Sequence, residues 1–383
     1  MVVPRAVYVS GTRADYGLMR TTLRALAAQP GWQVSVVAVG MHLSPYHGKT
    51  VDLIRSDGFD VVAAIPTLVE SDSGFAYAAS VGLTTIAIGR ELERLQPDLV
   101  ILLGDRGEML AAALAASAQN MVIAHVNGGD RTHSIDEPIR HAITQFAHLH
   151  FVATEEAAAV VRRLGAPGQY IFVVGAPGVD EAQEVAGSVS KDAARRMLEL
   201  KSESIVAVVA YHPTTTETNV GTAHLRDILV TLRDLGAYTI TLLPNADPGY
   251  SCLRQTVEQY AWPGMKIVSH IERSRFLLLM RAADVMVGNT SAGIIEAPTL
   301  GLPFVHVGSR QLGRIRGANV IDVPNVNREN LRQAIIHAVS SQFRKVVERS
   351  RNPYGDGQTG IRIARILAGL ELCDIPRQRQ FEW

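Results

Sequence analysis

The stretch "HVNGGDRTHSIDEPIRHAIT", residues 125–144, crowds Asp130, Arg131, His133, Asp136, Glu137, Arg140 and His141 behind an apolar run and two glycines. A solvated loop carries fewer charges of both signs, and a core helix almost none. Carboxylates, imidazoles and guanidiniums at this density are the groups that move protons or hold an anion. Pro138 suits a first helical turn, and Ser134 with Glu137 matches a capping box, so a helix is predicted to start within about three residues of 136. On it Asp136 and Arg140 are four apart, as are Glu137 and His141, so each pair shares a face. Those pairs account for the helix alone. They leave Asn127, Asp130 and His133 on a glycine-bearing loop that a merely structural helix does not require.

Further motifs close other apolar runs. In "GTRADYG" (11–17), glycines and a helix start present free N–H groups and Arg13 to an anion, unless Arg13 is an ordinary surface arginine. In "GDRGE" (104–108), Asp105 and Arg106 follow "LVILLG". Asp105 reads either as a salt-bridged or capping carboxylate or as a group reaching a ligand. "YHPTTT" (211–216) puts His212 at a strand end, or in the core bonded to a backbone carbonyl. "PNADPG" (244–249) puts Asn245 at another, where a turn explains the residues equally well. "GNTSAGIIEAPTLGLP" (288–303) is stronger. Its Asn-Thr-Ser, with Thr290 and Ser291, caps a helix whose start suits phosphate; Gly293 admits a ligand close to the backbone. Glu296, about one turn later, suits ribose hydroxyls. Arg310, Arg314 and Arg316 add cations for a diphosphate. No Cys pair, HExxH or Asp-x-Asp is present, GxxxxGK[ST] and GxSxG are missing, and the GxGxxG match "GDGQTG" (355–360) follows no apolar strand run. That counts against metal, NAD, P-loop and serine-hydrolase chemistry.

The elements that must position these groups alternate. Apolar runs at 5–10, 33–40, 60–65, 98–104, 121–126, 149–154 and 170–175 are separated by segments of helical period, and the alternation resumes at 204–212, 237–245, 265–270, 283–289 and 302–308. Continuous apolar runs predict parallel strands covered on both faces, hence doubly wound sheets. Turn-rich residues 175–193 mark a boundary. The 383 residues suit two domains, and 47% hydrophobic with 19% charged residues is globular. With 37 basic and 37 acidic residues the net charge is zero, which gives no general attraction to nucleic acid or anionic membranes. Two distant cysteines, Cys252 and Cys373, argue against a disulfide framework. The N-terminus reads as a strand, not a signal peptide, and no apolar run spans a bilayer, so a soluble cytoplasmic protein is expected.

The motifs above, with "GDRGEMLAAALAA", "IRHAIT", "AHLH" and "YGDG" (354–357), run in order from about residue 5 to 370. Together they resemble the hydrolysing UDP-N-acetylglucosamine 2-epimerases of the sialic and legionaminic acid type. Non-hydrolysing relatives carry Arg-Arg-Glu-Asn after the "HP" histidine and an Asp-Ser-Gly-Gly-like loop, where this chain has "HPTTT" and "NTSAG". The resemblance implies an α/β GT-B fold: two Rossmann-like doubly wound domains facing across a cleft. Residues 1–180 would hold the acid/base groups, 181–360 the nucleotide, and 361–383 a C-terminal helix and tail returning to the first domain. It implies conversion of UDP-N-acetylglucosamine and water to N-acetylmannosamine and UDP, through elimination to a 2-acetamidoglucal and rehydration. No cofactor or metal is expected. The partners implied are the nucleotide sugar and UDP, with neither nucleic acid nor membrane, in a homodimer or homotetramer.

Position by position, Asp105 and Asp136 coincide with aspartates of acid/base work. Arg13, Arg106, His212, Asn245, Thr290, Ser291, Glu296 and Arg310 coincide with nucleotide contacts, His42 and Asp180 lie near the sugar, and Arg140 joins the binding set. One departure stands out. Members that make sialic acid precursors can carry Glu, in a "HIEGGE"-like version, where this chain has Asn127. An amide takes no proton at neutral pH, so Asp130 and His133 are the nearby substitutes. This opens a modified sugar, such as a UDP- or GDP-linked 2,4-diacetamido-2,4,6-trideoxyglucose. A GT-B glycosyltransferase and a non-catalytic nucleotide-sugar sensor are the competing classes.

Overall fold

Strands rich in Val, Ile, Leu and Ala form two wholly parallel sheets in this computed structural model. It describes residues 3–200, 204–214, 218–244, 247–378 and 381–382, and the side chains of all of these except 218 and 219. The chain divides into two units. Unit 1 comprises Met1–Arg131, Ile135–Asp180 and Tyr354–Trp383, and unit 2 comprises Thr132–Ser134 and Glu181–Pro353. Unit 2 therefore ends before the expected residue 360, because the chain is back in unit 1 from Tyr354 onward.

In unit 1 the strands are β1 (Arg5–Ser10), β2 (Gln33–Val39), β3 (Asp60–Ile65), β4 (Leu99–Leu103), β5 (Val122–Val126), β6 (Leu149–Val152) and β7 (Ile171–Val173). They lie in the order β3-β2-β1-β4-β5-β6-β7. Because side chains alternate along a strand, Ala6 and Tyr8 pack with Met19, Leu23, Ile363 and Leu367 on one face. Val7 and Val9 pack with Ile88, Leu92 and Met109 on the other. Both faces are thus dry, which is why the sequence shows continuous apolar runs here. The strand order reverses between β1 and β4, and in such sheets ligands bind beyond the carboxyl ends at that reversal.

In unit 2 the strands are β8 (Val206–Ala210), β9 (Tyr238–Leu242), β10 (Met265–Val268), β11 (Val285–Gly288), β12 (Phe304–Val307) and β13 (Val320–Val323). Their order is β10-β9-β8-β11-β12-β13, with the reversal between β8 and β11. Val209, Val287 and Val305 meet Leu225, Ile228 and Leu232 of the helix Thr218–Asp234. Strand β13 carries no apolar run. As an edge strand it is only half covered and includes Asp322, so it lacks the signature of its buried neighbours.

The helix Thr359–Ala368 packs on the helix Arg13–Ala27 of unit 1. Its N-terminus is capped from afar: Asp180 accepts from the backbone N–H of Thr359 at 3.0 Å and of Gly360 at 2.7 Å. Asp180, expected near the sugar, thus has both carboxylate oxygens engaged at a helix end. Replacing Asp180 with Ala orphans two buried donors, and the unfolding free energy is expected to fall by about 1–2 kcal/mol. Urea denaturation checks this; an unchanged midpoint would show that the cap contributes nothing.

Candidate functional site

In unit 1 the chemistry gathers where β1, β4 and β5 end. After β4 the backbone turns at Gly104 (φ +73°), and Asp105 follows. Arg140, 1% exposed, lies on the helix Asp136–Phe146. Its Nη2 pairs with the Asp105 carboxylate, and its Nη1 donates to the Asp130 carbonyl at 2.6 Å. A guanidinium keeps its charge and is costly to bury, so these partners are what hold it there. Arg140 was expected to bind the nucleotide and to share a face with Asp136. The two are four apart on this helix, and the Arg140 guanidinium is turned inward to Asp105 as a buried support for that carboxylate.

The helix does begin at Asp136, as expected, and its N-cap position is Ile135. Asp136 and Glu137 supply acidic charge to the first turn, and His141 Nε2 lies 3.6 Å from Glu137 Oε1. Burial, followed by the Arg140 charge, pushes the His141 imidazole below its usual range. His133 is exposed and the Asp130 side chain is buried. The glycine pair has a packing reason. Gly129 has φ +81°, and a Cβ there would stand 2.3 Å from the Ala157 carbonyl oxygen. Asn127 takes the left-handed conformation (φ +60°), which Asn tolerates, and its amide oxygen is buried with no hydrogen-bond partner among the described residues.

His125, unremarked in the sequence because it sits in an apolar strand, is fully buried in β5. Its Nε2 is 2.7 Å from the Gly104 carbonyl oxygen, which only accepts, so this nitrogen carries the proton. Its Nδ1 meets Thr144 Oγ1 at 3.1 Å. Burial pushes the imidazole down to about 4, against the Gly104 hydrogen bond and with help from the Arg140 charge. His125 thus pins the turn that presents Asp105.

The β1 end differs from expectation. Thr12 caps the helix Arg13–Ala27 in a true capping box, and Asp15 Oδ2 accepts from the N–H of Gly11 at 3.1 Å and of Thr12 at 2.8 Å. Those donors were expected to face an anion; a carboxylate of the chain already fills the place. Ser10 hydrogen-bonds Asp15 and lies 2.8 Å from His42 Nε2, while His42 Nδ1 lies 2.8 Å from Thr50 Oγ1. His42, expected beside the sugar, is fully buried with both ring nitrogens engaged, and burial lowers its pKa. Burial raises that of Asp15. Arg13 is half-buried, and Arg106 pairs with Glu108 at 3.2 Å.

In unit 2, Asn289 joins the ends of β8 and β11: it accepts from the His212 N–H at 2.7 Å and returns its amide to the His212 carbonyl at 2.9 Å. Arg310 donates to the Asn289 carbonyl at 3.4 Å. Thr290 accepts from the Ala292 N–H at 3.4 Å, while Ser291 caps nothing. The helix Ala292–Ile295 is a single turn, so its dipole is weak. Gly293 was expected to admit a ligand. A Cβ there would stand 2.4 Å from the Phe304 ring, so this glycine serves helix–sheet packing. Arg316 is bound to Asp322 at 3.1 Å and is no free phosphate cation. Burial raises the Asp322 pKa, but hydrogen bonds from His306 and Arg316 outweigh it and bring the carboxyl down to about 2. Glu296 is buried against Arg273, a pair that sequence reading did not find. Asn245 lies outside the described residues.

Two parallel, doubly wound units of this kind define the two-domain GT-B class. A crystal structure of UDP-GlcNAc 2-epimerase from Neisseria meningitidis bound to UDP-GlcNAc superposes with a TM-score of 0.79 at 16% identity, covering 95% of this chain and 99% of that one. The family model described as UDP-N-acetylglucosamine 2-epimerase matches residues 24–368, and the chain belongs to that family. It is 36% identical, over 97% of both chains, to a Legionella pneumophila protein named UDP-N,N'-diacetylbacillosamine 2-epimerase (hydrolyzing). It is 30% identical, over 88% of both, to a Campylobacter jejuni protein named GDP/UDP-N,N'-diacetylbacillosamine 2-epimerase (hydrolyzing).

Because the folded-state pKa of His125 is depressed to about 4, its contribution to stability is fully present above the unfolded value near 6.5. It is lost progressively as pH falls from about 6.5 to 4, with a slope of up to about 1.4 kcal/mol per pH unit. His125→Gln is expected to be less stable at pH 7 and to lack that part of the slope. Urea midpoints measured from pH 7.5 to 4.5 in both proteins decide it; parallel curves would contradict the assignment.

Proposed function

We propose that this chain is a hydrolysing 2-epimerase of a UDP-linked 2-acetamido sugar. The observation that carries this reading is Asp105, held by buried Arg140 at the end of β4, on the helix that Asp136 opens. The base removes the proton at C2 as the C1–O bond breaks and UDP departs with the bonding pair, leaving a 2-acetamidoglucal. Water then adds at C1, and a proton returns to the opposite face of C2. Two proton carriers are required, and Asp105 and Asp136 take these roles, with Asp130 and His133 completing the polar loop. Arg140 binds no substrate in this scheme; it holds Asp105 in place. In unit 2, His212, Thr290, Ser291, Glu296 and Arg310 hold the nucleotide.

Asn127 favours a substrate that differs from N-acetylglucosamine in its substituents. Its unpartnered amide oxygen is an acceptor for a sugar N–H or O–H, and the names of the Legionella and Campylobacter relatives point the same way. Incubation in deuterated water with UDP-N-acetylglucosamine and, separately, with UDP-2,4-diacetamido-2,4,6-trideoxyglucose tests both readings. One substrate is expected to yield UDP and a 2-epimerised sugar carrying deuterium at C2. UDP release without deuterium at C2 from either would sink the proposal. Asp105→Asn and Asp136→Asn are each expected to lower turnover by about 10²–10⁴-fold.

The same reading carries a cytoplasmic homo-oligomer. Phe75, Leu83 and Ile86 lie exposed along one side of the helix Gly74–Leu95, an apolar stripe suited to a second copy of the chain. No helix among the described residues is long and apolar enough to cross a membrane. Ile86→Glu is expected to halve the mass measured by light scattering; an unchanged mass places the interface elsewhere.

A further inference from the structure

Three charged side chains of unit 2 lie together with less than a tenth of each exposed: Glu181, Arg273 and Glu296. They come from three elements. Glu181 lies in the helix Gly178–Ser188, Arg273 opens the helix Arg273–Ala282, and Glu296 ends the single turn Ala292–Ile295. Arg273 Nε donates to Glu181 Oε2 at 3.1 Å. Its Nη1 faces Glu296 Oε1 as an ion pair, without the alignment of a hydrogen bond.

Burying three charges costs several kcal/mol per ion before pairing offsets it, and apolar residues of the same volume serve packing as well or better. The neighbours of Glu296 show that alternative, since Ile294, Ala297 and Phe304 are all fully buried. A purely structural explanation therefore accounts poorly for a carboxylate at this one position. A carboxylate with a fixed job accounts for it well, because a guanidinium is a rigid fork that holds a partner in one orientation. Glu181 fixes one edge of that fork, and Glu296 is addressed by the other.

We infer that Arg273, itself oriented by Glu181, is a positioning residue that fixes the Glu296 carboxylate to accept hydrogen bonds from the ribose hydroxyls of the nucleotide. This rests on the proposed nucleotide role of Glu296 and adds the two residues that make the role possible. Neither Arg273 nor Glu181 touches the nucleotide. Their effect is read through the ribose alone, because the base and diphosphate are common to the probes that differ in a hydroxyl.

The test measures binding of UDP and of 2'-deoxy-UDP by calorimetry to the full chain and to Arg273→Gln, Arg273→Lys and Glu296→Gln, with thermal melts as the folding control. The wild type is expected to favour UDP by about tenfold or more, the scale of a hydrogen bond to a charged group. Arg273→Gln is expected to bring the ratio to within about threefold while both ligands still bind. Should that variant fail to fold, Arg273→Lys, which keeps the charge but not the fork, carries the same expectation. A folded Arg273 variant that keeps the wild-type ratio overturns the inference. If Glu296→Gln also keeps it, the ribose reading of Glu296 has failed, which is a separate and distinguishable result.

Discussion

A guanidinium that cannot shed its proton, placed where water cannot reach it, sets the terms for the first unit. Arg140 is 1% exposed, so its charge must be met by the protein, and it is met by the Asp105 carboxylate and the Asp130 carbonyl. Those partners belong to the turn after β4 and the loop after β5. One side chain thus ties two strand ends to the helix that carries it. His125 reinforces the arrangement through the Gly104 carbonyl, and it does so as a neutral ring because burial keeps it so. The Asp105 carboxylate is thereby left little freedom to reorient.

The sheet ends elsewhere follow the same logic of polar groups addressed to backbone. Asp15 satisfies the N–H groups of Gly11 and Thr12, and Asn289 exchanges two hydrogen bonds with the main chain of His212. Each is a buried polar side chain whose partners are fixed by fold, so each position tolerates few other residues. The loops that leave β1, β8 and β11 are held from beneath, and the residues at their tips inherit a defined starting point. The salt link of Arg316 with Asp322 does similar work at the edge of the second sheet.

How far the sequence revealed all this depends on the kind of signal. Twelve of the thirteen strands announce themselves as apolar runs, because a parallel strand covered on both faces has little choice of residue. Strand β13 does not, since it is a four-residue edge strand interrupted by the exposed Asp322. The crowded 125–144 segment stood out in the sequence, yet several reasons for residues there and elsewhere did not. Gly129 makes room for a carbonyl of the helix Glu155–Arg163, Gly293 for the Phe304 ring, and Asp180 for a helix 179 residues further on. These are contacts between segments remote in sequence, and no local pattern encodes them. His125, Arg273 and Glu181 escaped notice for the same reason: alone, each is an ordinary residue on an ordinary element.

The return of the chain to its first unit bears on how the molecule is made. Val174, Ile363 and Leu367 belong to one core, so the N-terminal sheet lacks a wall until the last segment has been synthesised. At about 5–20 residues per second, the ribosome needs on the order of ten seconds or more to add the intervening second unit. During that interval an apolar face of the nascent first half stays uncovered, while nearly all of the second unit is one continuous stretch, Glu181–Pro353. The first core is thereby completed only by the last segment made, and a chaperone that shields the early half has a defined surface to cover.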